Sequence, residues 1–177
     1  KFEDDGCSAI HIPEDKAYNV TSEGWKQRNI TVNNNIVDAG DIGIILMNSV
    51  LTITEPGTEE WLLDSTKRFK KNILFTHRPV DAPEVRNLIL SVEPDKNIEE
   101  YGFAGSSTLF QECIKGRIDA VYCGHTHYPG EVKVDDMPVT IMSISVNAVN
   151  KTYSGMGRVL VIDTDKLSEN KYISADL

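Results

Sequence analysis

The chain has 177 residues, 40% of them hydrophobic and 25% charged, the size and balance of an ordinary globular domain with its own core. Its net charge of −9 sets it against non-specific contact with nucleic-acid backbones. Its longest apolar stretch, Ile42 to Ile53, is interrupted and too short to span a bilayer. Lys1-Phe2-Glu3-Asp4-Asp5 is acidic, not the basic lead of a signal peptide, and the chain does not open on Met, so a processed or truncated polypeptide is expected. Cys7, Cys113 and Cys123 are too few and too scattered for a disulfide framework. Sequons at Asn19-Val-Thr21, Asn29-Ile-Thr31 and Asn150-Lys-Thr152 permit a secreted location and also arise by chance, so localisation stays open.

Residues 1–35 read as an irregular segment, closing on an Asn33-Asn34-Asn35 turn. Gly43 to Met47 reads as a buried strand, and Glu55-Pro56-Gly57 interrupts the chain after it. A helix is predicted from Thr58 to Lys71, with Glu59 and Glu60 in its first turn, Lys67, Arg68, Lys70 and Lys71 in its last, and Leu62 and Phe69 on its buried stripe. Ile73-Leu74-Phe75 is a short strand ending at Thr76-His77-Arg78-Pro79. Asp81 to Glu84 has the form of a capping box. Val85, Leu88, Ile89 and Val92 then recur at helical spacing. A third helix begins near Ser107, pairs Leu109 with Cys113 and Phe110 with Ile114, and stops at Gly116. Ala120 to Cys123 is another buried strand, followed by Gly124-His125-Thr126-His127. Strands alone follow: Glu131–Val134, Val139–Ser145 and Arg158–Asp163, with a turn at Asp135-Asp136. Two apolar strands joined through a helical connection imply a parallel pair, so the fold class is mixed α/β in one domain over residues 1–177.

Three of the four histidines follow directly on predicted strands, where open α/β sheets build their ligand crevice. Imidazole suits zinc, iron and manganese, and the H-x-H spacing sends two rings from one loop in different directions. Gly124 is expected to supply the sharp turn out of the strand.

Two segments, Asn72-Ile-Leu-Phe-Thr-His77-Arg-Pro79 and Val121-Tyr-Cys-Gly-His125-Thr-His127, resemble the fourth and fifth motifs of the calcineurin-like metallophosphoesterases. Glu59 to Leu63 resembles that family's helix before the fourth motif, and Asp136-Met137-Pro138-Val139 the strand after the fifth. The resemblance covers about residues 40–163. It implies a four-layer αββα sandwich, of which this chain carries the C-terminal half. It implies two divalent or trivalent transition-metal ions (Mn, Fe or Zn), with His77 and His125 on one and His127 on the other. A bridging hydroxide would attack a phosphomonoester or a small phosphodiester, as in the cyclic-nucleotide phosphodiesterases.

The family's first three motifs, D-x-H, G-D-x-x-D and G-N-H-[D/E], are absent. The resemblance therefore implies that the N-terminal half of the same domain is a necessary partner, without which this chain is inactive. Val37-Asp38-Ala39-Gly40-Asp41 has Ile44 where a second Asp is needed and reads as a turn. His11 reads as an ordinary strand or loop histidine. Arg78 is a candidate for gripping substrate phosphate or for a surface ion pair, and Tyr128 for flanking the pocket or for core packing. Cys123 reads as a buried core thiol. Two other functions remain open: a metallophosphoesterase-fold scaffold that has lost catalysis, as in a retromer subunit, and a mononuclear zinc site on three imidazoles.

Overall fold

A computed structural model of the chain describes residues 34–49, 54–99, 101–126, 128–142, 146–147, 152–153, 156–169 and 171–176. All belong to the unit spanning Asn34–Leu177. Readings placed on residues 1–33, among them His11, Cys7 and two of the sequons, lie outside them, as do Asn150 and His127.

The fold is mixed α/β. Its main sheet has six strands in the order β1-β2-β3-β4-β6-β5. They are β1 (Asn35–Ala39), β2 (Ile42–Met47), β3 (Lys71–Thr76), β4 (Ala120–Cys123), β5 (Gly130–Val134) and β6 (Met137–Ile141). The pairs β2–β3, β3–β4 and β4–β6 are parallel, and the two edges are antiparallel. Smaller hairpins pair β7 (Val146–Asn147) with β8 (Thr152–Tyr153), and β9 (Met156–Val161) with β10 (Lys171–Asp176).

Side-chain alternation gives the sheet two faces. One register row runs Ile36, Ile45, Leu74, Val121, Val139 and Val132. That face meets Leu62 of α1 (Thr58–Ser65), Val85 and Ile89 of α2 (Pro83–Val92), and Leu109 with Phe110 at the junction of α3 (Ser107–Leu109) and a π-helical turn over Phe110–Ile114. Burying one such leucine or isoleucine stabilises the fold by roughly 1.5–3 kcal/mol. The opposite face carries Val37, Ile44, Ile73 and Ala120 in one row, and Leu46, Phe75 and Tyr122 in the next. Phe75 and Tyr122 stack with centroids 5.1 Å apart. Leu160, Ile162 and Leu167, on and after β9, pack against this second face.

Several expectations are corrected. β1 was assigned to irregular chain and a turn, yet its row pairs fully with β2, and the turn is confined to Gly40 and Asp41, with Gly40 at φ 76°. α1 ends at Ser65, well short of Lys71. Thr66 turns its hydroxyl back onto the Leu62 carbonyl, and Lys70 and Lys71 donate their backbone N–H groups to Asp41 O, which starts β3. Phe69 is therefore not on a helix stripe. It lies on Gly43, where any Cβ would collide with its ring. α2 has no capping box: its N-cap is Ala82, without a side-chain cap, because the Asp81 carboxylate turns to Arg86 instead. The third helix runs on as a π-helical turn after Leu109 and stops at Gly116, φ 71°, as expected.

Candidate functional site

β3 and β4 are parallel neighbours, so the chain leaves both at the same edge of the sheet, and both exits carry histidine. His77 follows Thr76 at the end of β3. Its carbonyl accepts the Gly124 N–H at 2.9 Å, which holds the two exits side by side. His125 follows one residue later, and its Nδ1 lies 3.3 Å from His77 Nε2. The rings meet edge to face with centroids 5.1 Å apart.

The turn out of β4 is made by His125 rather than Gly124. His125 has φ 71°, a left-handed conformation that residues with a Cβ rarely adopt, whereas Gly124 lies outside that region. The only other non-glycine with positive φ among the described residues is Asp135, in the tight β5–β6 turn, where Asp is tolerated. Thr126 N–H donates to Gly124 O at 2.9 Å, so His125 is the central residue of a three-residue turn, and a positive φ there is the strained form of such a turn. Strain of this kind is held where a ring must be aimed.

Beneath the pair sits Ser49, 1% exposed just beyond β2. Its Oγ accepts the backbone N–H of His77 at 2.9 Å and of Arg78 at 3.2 Å. Ser49 was not singled out from the sequence. The available signal was a polar pair, Asn48-Ser49, at a third strand tip beside the two that end in histidine.

Arg78 Nη1 donates to the carbonyls of Gly102 at 2.9 Å and Tyr101 at 3.2 Å, and lies 3.4 Å from His125 Nε2. It thus ties the segment after α2 to the histidine pair. The Tyr101 ring stands edge-on to the His125 ring, centroids 5.3 Å apart. Tyr101 is another residue the sequence did not mark. Tyr128 lies three residues beyond His125, with its hydroxyl buried and unpaired; burial, reinforced by Glu93, pushes its pKa up to about 12. Cys123, fully buried as read from the sequence, has a thiol pushed up to about 12 by burial.

A transition-metal ion fits this spacing. Two imidazole nitrogens at about 2.0–2.1 Å from one tetrahedral ion stand roughly 3.4 Å apart, and the observed separation is 3.3 Å. The same spacing serves an N–H···N hydrogen bond. Guanidinium only donates, so the Arg78 contact is a hydrogen bond when the His125 proton is on Nδ1; ligation through Nδ1 requires the other tautomer. Among the described residues no group of three His, Cys, Asp or Glu side chains is placed to hold a metal, and His127 is not one of them.

A cavity of about 660 Å³ lies at the opposite end of the sheet, around Asn72 and Asp119. Volume alone does not move the candidate site there, since the paired imidazoles and the strained backbone are at the histidine end. Among the described residues no helix is long and apolar enough to cross a membrane. No family model matches the chain, and no curated protein matches it.

Proposed function

We propose that this chain contributes the metal-facing C-terminal half of a calcineurin-like metallophosphoesterase domain, and that the domain hydrolyses phosphomonoesters or small phosphodiesters. The observation that carries this reading is the convergence of His77 Nε2 and His125 Nδ1 to 3.3 Å at the tips of adjacent parallel strands.

His77 and His125 would hold one ion between them, and His127 is proposed for a second. When bound, such ions neutralise phosphoryl oxygens and activate the attacking water. The protein's own part is orientation. Ser49 fixes the backbone of His77, the strained turn aims His125, and Arg78 ties both to the segment carrying Tyr101. Tyr128 is proposed to flank the substrate.

The second face of the main sheet supports the sandwich. Leu160, Ile162 and Leu167 cover part of it, while Leu46 and Val37 in the same rows remain 39% and 48% exposed. An apolar sheet face covered in part by another strand pair is what one half of two packed sheets presents. Its remaining cover is proposed to be the N-terminal half of the domain.

A second reading, a scaffold of this fold without catalysis, draws on the Arg78 guanidinium lying against the His125 ring. Titration of the chain with Zn²⁺, read on the imidazole resonances, separates the two. The proposed function expects His77 and His125 to shift together with one saturation curve. Independent shifts, or none up to millimolar Zn²⁺, would refute it.

A further inference from the structure

Arg78, His125 and His77 form one hydrogen-bonded chain at the ends of β3 and β4. A guanidinium only donates. Arg78 Nη1, 3.4 Å from His125 Nε2, therefore calls for a bare nitrogen there, which puts the His125 proton on Nδ1. The Nδ1–H in turn donates to His77 Nε2, 3.3 Å away, so that His77 carries its own proton on Nδ1.

Ligation of one ion between His77 Nε2 and His125 Nδ1 reverses half of this arrangement. Both nitrogens must then offer a lone pair. His77 already does, whereas the His125 proton has to move to Nε2. A metal-ligating imidazole donates its other N–H to an acceptor. Beside His125 Nε2 stands a donor instead, so the Arg78 contact and ligation exclude each other.

The ring is poorly placed to yield. It stands between two other rings, edge to face with His77 at 70° and with Tyr101 at 74°, and its backbone is already held at φ 71°. The segment after α2 is anchored too: Phe103 and Ala104 are buried, and Ala104 N–H donates to Pro79 O at 2.8 Å. The guanidinium, by contrast, ends a long side chain with several rotatable bonds. Its Nη1 also holds the carbonyls of Gly102 at 2.9 Å and Tyr101 at 3.2 Å.

We propose that Arg78 is a latch on the histidine pair. Closed, its Nη1 joins His125 Nε2 to the Tyr101 and Gly102 carbonyls; ligation of a transition-metal ion by the pair opens it. Ion occupancy thereby sets whether Arg78 ties the segment after α2 to the site. The open state rests on the proposed function, while the closed one stands on the side chains alone.

The test is NMR of the full chain, labelled with ¹⁵N at histidine and arginine side chains and at the backbone, at about pH 8, above the ordinary imidazole range. In EDTA the His125 proton is expected on Nδ1. Under Zn²⁺ it is expected on Nε2, with the His77 tautomer unchanged. The Arg78 side-chain resonances should shift on the same saturation curve, together with the Gly102 and Phe103 N–H groups, which adjoin the released carbonyls. Ala104 N–H should stay in place. Arg78→Met keeps the stem, removes the donor, and is expected to bind Zn²⁺ about tenfold more tightly. Lys96→Met removes a positive charge 5.5 Å from the Tyr101 ring and leaves the latch intact, so its affinity should change by less than about twofold. Equal tightening in the two variants would mean plain charge repulsion and overturns the latch. A His125 proton on Nε2 in EDTA overturns it as well. So do zinc shifts at both imidazoles with Arg78, Gly102 and Phe103 unmoved, an outcome that leaves the proposed function standing. No zinc shift at either imidazole overturns both.

Discussion

Arg86 holds Asp81 with two nitrogens, Nε to Oδ1 at 2.6 Å and Nη2 to Oδ2 at 3.1 Å. The Asp81 side chain is 9% exposed and the Arg86 side chain 27%. Nη1 reaches Glu99 at 2.7 Å, and the guanidinium lies 4.9 Å from the centre of the Phe103 ring. The hydrogen bond to Asp81 leads the causes that drive the guanidinium pKa further up from its already high value. One side chain thus fastens the start of α2 to the segment that carries Tyr101 to the histidines. Arg86→Met strands a nearly buried carboxylate and is expected to cost about 2–3 kcal/mol in urea unfolding. Adding Asp81→Asn should recover part of the loss. Equal stability of Arg86→Met and wild type would show that the clasp contributes nothing.

If His77 and His125 share one ion, removing either ring removes the same ion. His77→Ala, His125→Ala and the double variant are each expected to lose that Zn²⁺ and to weaken its binding by a similar factor, with circular dichroism unchanged. Coupled sites are non-additive in this way. In a complete domain with activity, His125→Ala should abolish hydrolysis of p-nitrophenyl phosphate and of its bis ester. Strictly additive losses in calorimetry would instead mean two separate sites.

Ser49 satisfies two backbone N–H groups with one hydroxyl. Ser49→Ala removes that acceptor from two part-buried donors, at an expected cost of about 0.5–1.5 kcal/mol. The stronger signature is local. Because the donors belong to His77 and Arg78, the variant should also weaken Zn²⁺ binding, while a stability loss alone would mark Ser49 as structural only.

Burial pushes the Cys113 thiol above its ordinary value of 9.0, with Glu59 and Glu112 adding to the shift. Below about pH 9 the thiol keeps its proton folded or unfolded. As pH rises past that value the unfolded chain releases the proton first, so it binds fewer protons than the folded chain and stability falls. The urea midpoint is expected to decline from pH 8.5 upward, less steeply in Cys113→Ala than in wild type. Parallel slopes in the two proteins would exclude this thiol as a contributor.

The parts of this protein legible in its residues were those governed by local chemistry. Apolar runs marked β2, β3 and β4, and helical spacing marked α2. Gly116 marked the helix stop, and Asp135-Asp136 the β5–β6 turn. The positions of His77 and His125 at strand exits could be read the same way, because a strand that ends announces its own last residue. The polar edge strand β1 was missed, since Asn35, Asp38 and Ala39 carry little strand preference and gain their order from pairing with β2.

Everything that depended on which chain segments become neighbours was decided by the tertiary fold. The side-by-side register of β3 and β4 brings two imidazole nitrogens 48 residues apart to 3.3 Å. The same packing turned Arg78 toward the Tyr101 and Gly102 carbonyls, drew Asp81 away from the helix cap to Arg86, and set Ser49 under His77. Long polar side chains reach whichever partner the backbone brings near, and no spacing rule along one chain encodes that partner. Strand periodicity, by contrast, follows from the geometry of the peptide itself.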